Sequence, residues 1–141
     1  MHLIEYSLWD NTPFSKEDVE RIVSFHLEQS TVTKQSFSHF LCFHPKIIVA
    51  RDTVSHTLVG LGTFTFVPSV GSSLGRISLG IDTEYTNQEI VREIGKLLVE
   101  PSVVRSVRQI DIETTNPVVS DVFLELGFRR LGTSNIYRLE I

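Results

Sequence analysis

The chain has very little of what marks secreted, membrane or nucleic-acid-binding proteins. Its one cysteine, Cys42, cannot form an internal disulfide, which is typical of proteins from a reducing compartment. No apolar run approaches the ~20 residues that a bilayer crossing needs. The first residues also lack the basic and apolar regions of a signal peptide. We therefore expect a cytoplasmic protein that does not have a membrane as its partner.

Positive charge is scarce as well. The 141 residues include 13 Lys and Arg against 17 Asp and Glu, which gives a net charge of −4, and the basic residues are scattered. Because a nucleic-acid-binding surface needs a basic stripe, we do not expect a nucleic acid as partner. The apolar content of 41% is that of an ordinary globular chain. Its length suits one domain, which we expect to cover residues 1–141.

Hydrophobic periodicity predicts a mixture of strands and helices. The predicted strands cover 2–9, 46–51, 57–67, 76–81, 109–114, 128–131 and 136–141. The predicted helices cover 15–28, 33–43, 87–99 and 117–126. Short loops indicate antiparallel pairing among the three strands after residue 46, and the helix over 87–99 indicates a parallel, right-handed crossover. The fold class is therefore α/β, a mixed central sheet of about seven strands flanked by four helices.

The most informative stretch runs from Gly80 to Val91, where a strand leads straight into a helix start. The free N–H groups and the dipole of such a helix start favour an anionic ligand. However, Thr86 and Glu89 have the spacing of a capping box, in which two side chains satisfy the first N–H groups of the helix themselves. The sequence leaves both interpretations open, a ligand-binding helix start and a self-capped structural helix.

Two segments resemble the GNAT acyltransferase superfamily. Residues 48–60 look like its second and third strands, and residues 116–128 look like its Asn-led helix that ends in Leu-Gly-Phe and a strand. The order of elements is similar too. Members of this superfamily move an acyl group from coenzyme A to an amine. The resemblance thus implies a GNAT-like fold, acetyl-CoA or another acyl-CoA as co-substrate, and a small-molecule or peptide amine as acceptor.

The resemblance also implies a coenzyme site at the strand–helix junction. In the superfamily an Arg/Gln-x-x-Gly-x-Gly/Ala loop holds the pyrophosphate, and here Thr86, Glu89 and Val91 occupy those positions. A side chain in place of glycine obstructs the approach of a phosphate, and Glu89 adds like charge. The coenzyme-binding residues that the resemblance implies are Ile81, Thr83, Thr86, Asn87, Gln88, Ile90, Val91 and Asn116.

The catalytic positions differ from the superfamily as well. Counted from Asn116, Phe123 stands where the superfamily usually has a tyrosine that acts as general acid, and phenylalanine has no proton to donate. Ser120 lies one turn earlier and is the candidate substitute for that hydroxyl. The general base varies in the superfamily, and the candidate carboxylates here are Glu113, Asp82 and Glu84.

Two hypotheses from different classes follow from the sequence. The first is a divergent GNAT-type N-acyltransferase. The second is a non-catalytic GNAT-fold protein that has lost acetyl-CoA binding and acts as a protein-interaction or structural module. Strand edges near the terminal hairpin offer a way for two copies to pair as a homodimer. No metal is expected, because His39, Cys42 and His44 lack a fourth ligand.

Overall fold

The computed structural model describes residues 3–10, 12–25, 46–66, 74–100 and 107–141. Within these ranges the chain forms seven strands, three α-helices and one 3₁₀ turn. The strands are β1 Ile4–Leu8, β2 Lys46–Asp52, β3 Leu58–Phe66, β4 Leu74–Ile81, β5 Gln109–Glu113, β6 Arg129–Arg130 and β7 Ile136–Glu140. The helices are α1 Lys16–Ser24, α2 Gln88–Leu98 and α3 Pro117–Glu125, and the 3₁₀ turn is Thr83–Tyr85.

The strands form one mixed sheet in the order β1-β2-β3-β4-β5-β7-β6. Neighbouring strands are antiparallel except β4 and β5, which are parallel. Helix α2 lies between β4 and β5 in the chain, as a parallel connection requires. The predicted α/β fold class, the antiparallel pairs after residue 46 and the parallel crossover are therefore confirmed.

Helices cover both faces of the sheet. On one face, Ile22 of α1 packs in a small buried cluster with side chains of β2 and β3. On the other face, α2 and α3 cover a larger cluster that includes Ile94, Leu98 and Phe123. Helix α2 lies very close to β3, since a Cβ added at Gly62 would be 2.4 Å from an Ile94 methyl group. These contacts hold the middle of α2 closely against the sheet.

Most element boundaries differ from the prediction by one or two residues, which is the usual uncertainty of helix and strand ends. Ser15 caps α1 as predicted, because its hydroxyl accepts the Asp18 N–H at 3.1 Å. The predicted helix over 33–43 lies outside the described residues, together with His39, Cys42 and His44. None of the helices in the described ranges has the length and hydrophobicity of a membrane-spanning segment.

Candidate functional site

The parallel strands β4 and β5 pair over only the first half of β4. Their register runs from Leu74 opposite Gln109 to Ile77 opposite Ile112. Beyond that point residues 78–81 of β4 pair with β3, and the last residue of β5 pairs with β7. The two strands therefore part at their carboxyl ends, which is where open α/β sheets commonly bind ligands. In the described chain no strand pairs with the β5-facing edge of residues 78–81.

A cavity of about 230 Å³, here called the cleft cavity, lies where the two strands part. Its wall combines apolar side chains from both strands with hydroxyl, carboxylate and amide groups. Five of the residues predicted from the sequence line it together, Ile81, Thr83, Thr86, Glu113 and Asn116. The sequence did not indicate the other lining residues, which are Phe25, Leu79, Ile112, Thr114 and Val119.

The remaining residues predicted for the coenzyme lie elsewhere around the α2 start. Asn87 and Ile90 line a second cavity, which lies between β1 and the first turn of α2. Gln88 is exposed at the first helical position, and Val91 is buried in the larger core cluster. The four residues follow a helical path, so their side chains point in different directions. The fold thus divides the predicted coenzyme residues between two cavities, the surface and the core.

The predicted capping box of Thr86 and Glu89 is wrong, because α2 begins one residue later. Its N-cap is Asn87, whose Oδ1 accepts the Ile90 N–H at 3.0 Å. The Thr86 hydroxyl instead donates to the Asp82 carbonyl at 3.0 Å, within the 3₁₀ turn that precedes the helix. As a result, the N–H groups of the first two residues of α2 donate to no group in the described chain.

An ion pair ties α1 to the junction between β4 and α2. Arg21 Nη2 lies 2.5 Å from Asp82 Oδ2, and Arg21 Nε donates to the Leu58 carbonyl at 2.6 Å. The other oxygen of Asp82, Oδ1, accepts the Glu84 N–H at 2.9 Å. Asp82 therefore holds the 3₁₀ turn that lines the cleft cavity. Its carboxylate is engaged on both oxygens, which makes it a poor general base.

The start of α3 presents an amide to the cleft cavity. Asn116 caps this helix, because its Oδ1 accepts the Val118 N–H at 2.9 Å. Its own backbone N–H donates to Thr114 Oγ1 at 3.1 Å, which fixes the turn after β5. The side-chain Nδ2 of Asn116 makes no hydrogen bond within the described ranges. This donor faces no internal competitor and is suited to a ligand carbonyl.

Neither Phe123 nor Ser120 of α3 lines the cleft cavity. Phe123 is completely buried and packs edge-to-face against Phe128, with ring centroids 4.9 Å apart. The Ser120 hydroxyl donates to the Pro117 carbonyl at 3.1 Å within its own helix. Phe123 is therefore a core residue whose ring is used in packing.

Two tyrosines beside the junction keep their protons at neutral pH. Burial, followed by the hydrogen bond of its hydroxyl to Asp52 Oδ2 at 3.2 Å, raises the pKa of Tyr85. Burial, together with the charges of Glu89 and Glu93, raises the pKa of Tyr6 to about 12. Among the described residues that line the cleft cavity, none is a tyrosine. In the same part of the chain, no group of three His, Cys, Asp or Glu side chains is arranged to hold a metal ion.

Comparison with known proteins gives matches at the level of structure alone. No protein-family model and no curated protein sequence matches the chain. A candidate acetyltransferase from Acinetobacter baylyi ADP1 matches with a TM-score of 0.78 at 16% identity, over 100% of this chain and 94% of that one. A chain of the NatC complex bound to Gag peptide and CoA matches with a TM-score of 0.74 at 16% identity, over 98% of both chains.

A third solved structure is similar over almost the whole chain. It is a GNAT superfamily phosphinothricin acetyltransferase from Sinorhizobium meliloti in complex with AcCoA, with a TM-score of 0.71 at 14% identity. The match covers 96% of this chain and 88% of that one. At these identities the similarity establishes the fold, and function has to be argued from the site.

Proposed function

We propose that this chain, which has the GNAT fold, is an N-acyltransferase that moves an acyl group from coenzyme A to an amine. The observation that carries the proposal is the cleft cavity between the parted ends of β4 and β5. Two of the compared structures were obtained with CoA or AcCoA, one of them together with a peptide. This supports an acyl-CoA as co-substrate and a small-molecule or peptide amine as acceptor.

The cleft cavity fits the pantetheine arm of coenzyme A, which is an extended chain with two amide groups. Backbone N–H and C=O groups of residues 78–81 that point away from β3 have no strand partner in the described chain, so they can pair with those amides. Asn116 also lines the cavity, and in our proposal its Nδ2 is a further donor to the pantetheine arm. Leu79 and Ile112 supply apolar surface for the methylene groups.

The α2 start fits the pyrophosphate of coenzyme A less well. Two unpaired N–H groups and the helix dipole favour an anion there. Glu84 and Glu89 oppose it, since a like-charge pair at ~4 Å costs about 4 kcal/mol at an effective dielectric near 20 and about 1 kcal/mol in bulk water. Both glutamates are exposed, so the lower figure applies. We infer that coenzyme affinity comes mainly from the pantetheine arm.

The chain's own residues have restricted roles in the transfer. When bound, the acyl-CoA supplies a thioester, so that the amine forms a C–N bond to the acyl carbon while the C–S bond breaks and the nitrogen loses a proton. Glu113 ends β5 at the cleft cavity and is the candidate to take that proton. In our proposal, backbone N–H groups of β4 polarise the acyl carbonyl.

In our proposal, no residue of α3 acts as the general acid. Phe123 carries no acidic proton and is buried. The Ser120 hydroxyl, the other candidate, is held by the Pro117 carbonyl. In our proposal, water supplies the proton that the departing thiolate of the coenzyme takes up. Catalysis then rests on orientation of the two substrates and on backbone polarisation.

Calorimetric titration with acetyl-CoA tests the proposal. We expect saturable binding, and we expect Asn116→Asp to weaken it, because aspartate keeps the helix cap but lacks the amide donor. The matched control is Asn135→Asp, which adds the same charge at an exposed turn whose backbone carbonyl accepts the Thr114 N–H. Equal binding by the two variants would contradict the role of Asn116.

One specific pair of observations favours the second candidate function, a GNAT-fold module that does not bind coenzyme A. The pyrophosphate position carries the exposed Glu89, and the usual acid position is the core residue Phe123. The same titration decides between the two. An absence of heat up to about 1 mM acetyl-CoA, from a protein whose folding is verified by its thermal transition, would reject the acyltransferase in favour of an interaction module.

A further inference from the structure

A second cavity, here called the edge cavity, lies beside the same segment that follows β4 and has a volume of about 490 Å³. The segment divides its side chains between the two cavities. Thr83 and Thr86 line the cleft cavity, whereas Glu84, Tyr85 and Asn87 line the edge cavity. The rest of the edge cavity is formed by Leu3, by β1, which is one of the two edge strands of the described sheet, and by the first turn of α2.

The edge cavity combines aromatic rings with carboxylates. Tyr6 and Tyr85 contribute the rings, Glu84 and Glu89 contribute the carboxylates, and no Lys or Arg is found among the described residues that line it. Neither glutamate forms an ion pair within the described chain. In contrast, Asp82 on the same segment is paired with an arginine. The edge cavity therefore carries uncompensated negative charge beside two electron-rich rings.

We propose that the edge cavity binds a small organic ammonium ion. The face of a tyrosine ring attracts an ammonium group within ~6 Å of the ring centre, and the two carboxylates add charge attraction. Ile4 and Ile90 offer apolar contact for the carbon atoms that such an ion carries. This site is separate from the cleft cavity, with which it shares no lining residue, although Asn87 and Ile90, which the resemblance assigned to the coenzyme, line it.

The helix dipole does not reverse the preference of the edge cavity for a cation. The N-terminus of α2 is equivalent to about half a positive charge, whereas Glu84 and Glu89 carry one full negative charge each. Glu84 and Glu89 line the same cavity as Tyr6, and burial, followed by the charges of Glu89 and Glu93, raises the pKa of that tyrosine. A free anion is repelled by the same carboxylates.

A pair of probes of equal shape tests this site directly. Choline chloride and its uncharged isostere, 3,3-dimethyl-1-butanol, are titrated separately into the ¹⁵N-labelled chain at constant ionic strength. We expect saturable shifts of the Tyr6, Tyr85 and Asn87 backbone amides with choline, and binding of the neutral isostere at least about tenfold weaker. Equal binding of the two probes would show an apolar cavity without charge selectivity and overturn the proposal. So would the absence of choline shifts at about 50 mM.

Three variants separate ligand binding from a purely structural role. The charge-removing pair Glu84→Gln and Glu89→Gln, combined, should weaken choline binding about three- to tenfold, and Tyr6→Leu should weaken it about fivefold. Glu17→Gln removes one negative charge from an exposed position of α1, on the other face of the sheet, and should leave binding unchanged. If the glutamates only complement the α2 dipole, their variant will lower the melting temperature while choline affinity stays the same. That result would overturn the proposed ammonium site, and it does not depend on whether the chain binds acetyl-CoA.

Discussion

The contact between Arg21 and Asp82 gives the sharpest prediction, which is that α1 controls the order of the 3₁₀ turn at the cleft cavity. Replacing Arg21 by methionine keeps the apolar stem of the side chain and removes its guanidinium group. The Leu58 carbonyl then loses its donor, and Asp82 keeps the Glu84 N–H as its remaining side-chain partner in the described chain. The turn should consequently open more often.

The exposure of the two side chains sets the expected loss in the free energy of unfolding. An unsatisfied buried polar group costs about 1–3 kcal/mol, but the side chains of Arg21 and Asp82 are 33% and 22% exposed, so water compensates part of the loss. We expect a loss of about 1–2 kcal/mol in the free energy of unfolding. The matched control is Arg51→Met, which breaks a bidentate pair between β2 and Asp18 of the same helix, with Nη2 to Oδ2 at 2.6 Å.

Hydrogen exchange distinguishes the two variants, because their stability losses should be similar. The Glu84 and Tyr85 amides donate to the side chain and the backbone carbonyl of Asp82. Both amides should exchange faster in Arg21→Met and at the parent rate in Arg51→Met, when compared under conditions where global unfolding does not contribute. If acetyl-CoA binds, its affinity should fall only in Arg21→Met. Unchanged exchange at these amides in Arg21→Met would refute the coupling of α1 to the turn.

Three further predictions concern single side chains. Phe123→Tyr should lower the free energy of unfolding, measured by urea denaturation, by about 1–3 kcal/mol, because the added hydroxyl enters a closed core. For the same reason it should not raise any transferase activity. The control is Phe66→Tyr, at a ring that is 47% exposed, which should change the free energy of unfolding by less than about 0.5 kcal/mol. Glu89→Gly should tighten acetyl-CoA binding up to about fivefold by removing like charge, and weaker binding in calorimetry would show that the glutamate assists the ligand. Burial lowers the pKa of Lys46, so the unfolded chain binds more protons than the folded chain as the pH approaches 10.5 from below. Stability of the parent chain, relative to Lys46→Met, should therefore rise with pH in that window, and parallel curves from pH 7 to 10 would contradict it.

Local patterns predicted most of the described fold. Alternating apolar residues fix which faces of a strand are buried, and a short loop allows only an antiparallel neighbour. The parallel pairing of β4 with β5 followed from the helix between them. The cap of α2 was misplaced because Thr86 and Asn87 are both good capping residues and lie side by side. The choice depended on the Asp82 carbonyl, which accepts the Thr86 hydroxyl in the folded chain.

The site could be predicted only in part, for a reason of geometry. Glu113 and Asn116 follow one strand, and Ile81 and Thr83 end another, so the carboxyl edge of a parallel pair brings them together. The edge cavity needs β1 beside the α2 start, and nothing in the local sequence of either segment indicates that contact. Arg21 and Asp82 are 61 positions apart in the chain. A contact at that separation is visible only when the helix has been placed on the sheet.

By itself, the sequence determined the order of the described strands and helices, the parallel crossover between β4 and β5, and the absence of a tyrosine at position 123. Those properties depend on the spacing of side chains along a few neighbouring turns or strands. Only the tertiary structure decided that β4 and β5 part after Ile77, that Phe123 belongs to the core, and that one short segment serves two cavities of different charge. Those properties depend on packing between distant elements, where the position of each side chain is set by all of its neighbours at once.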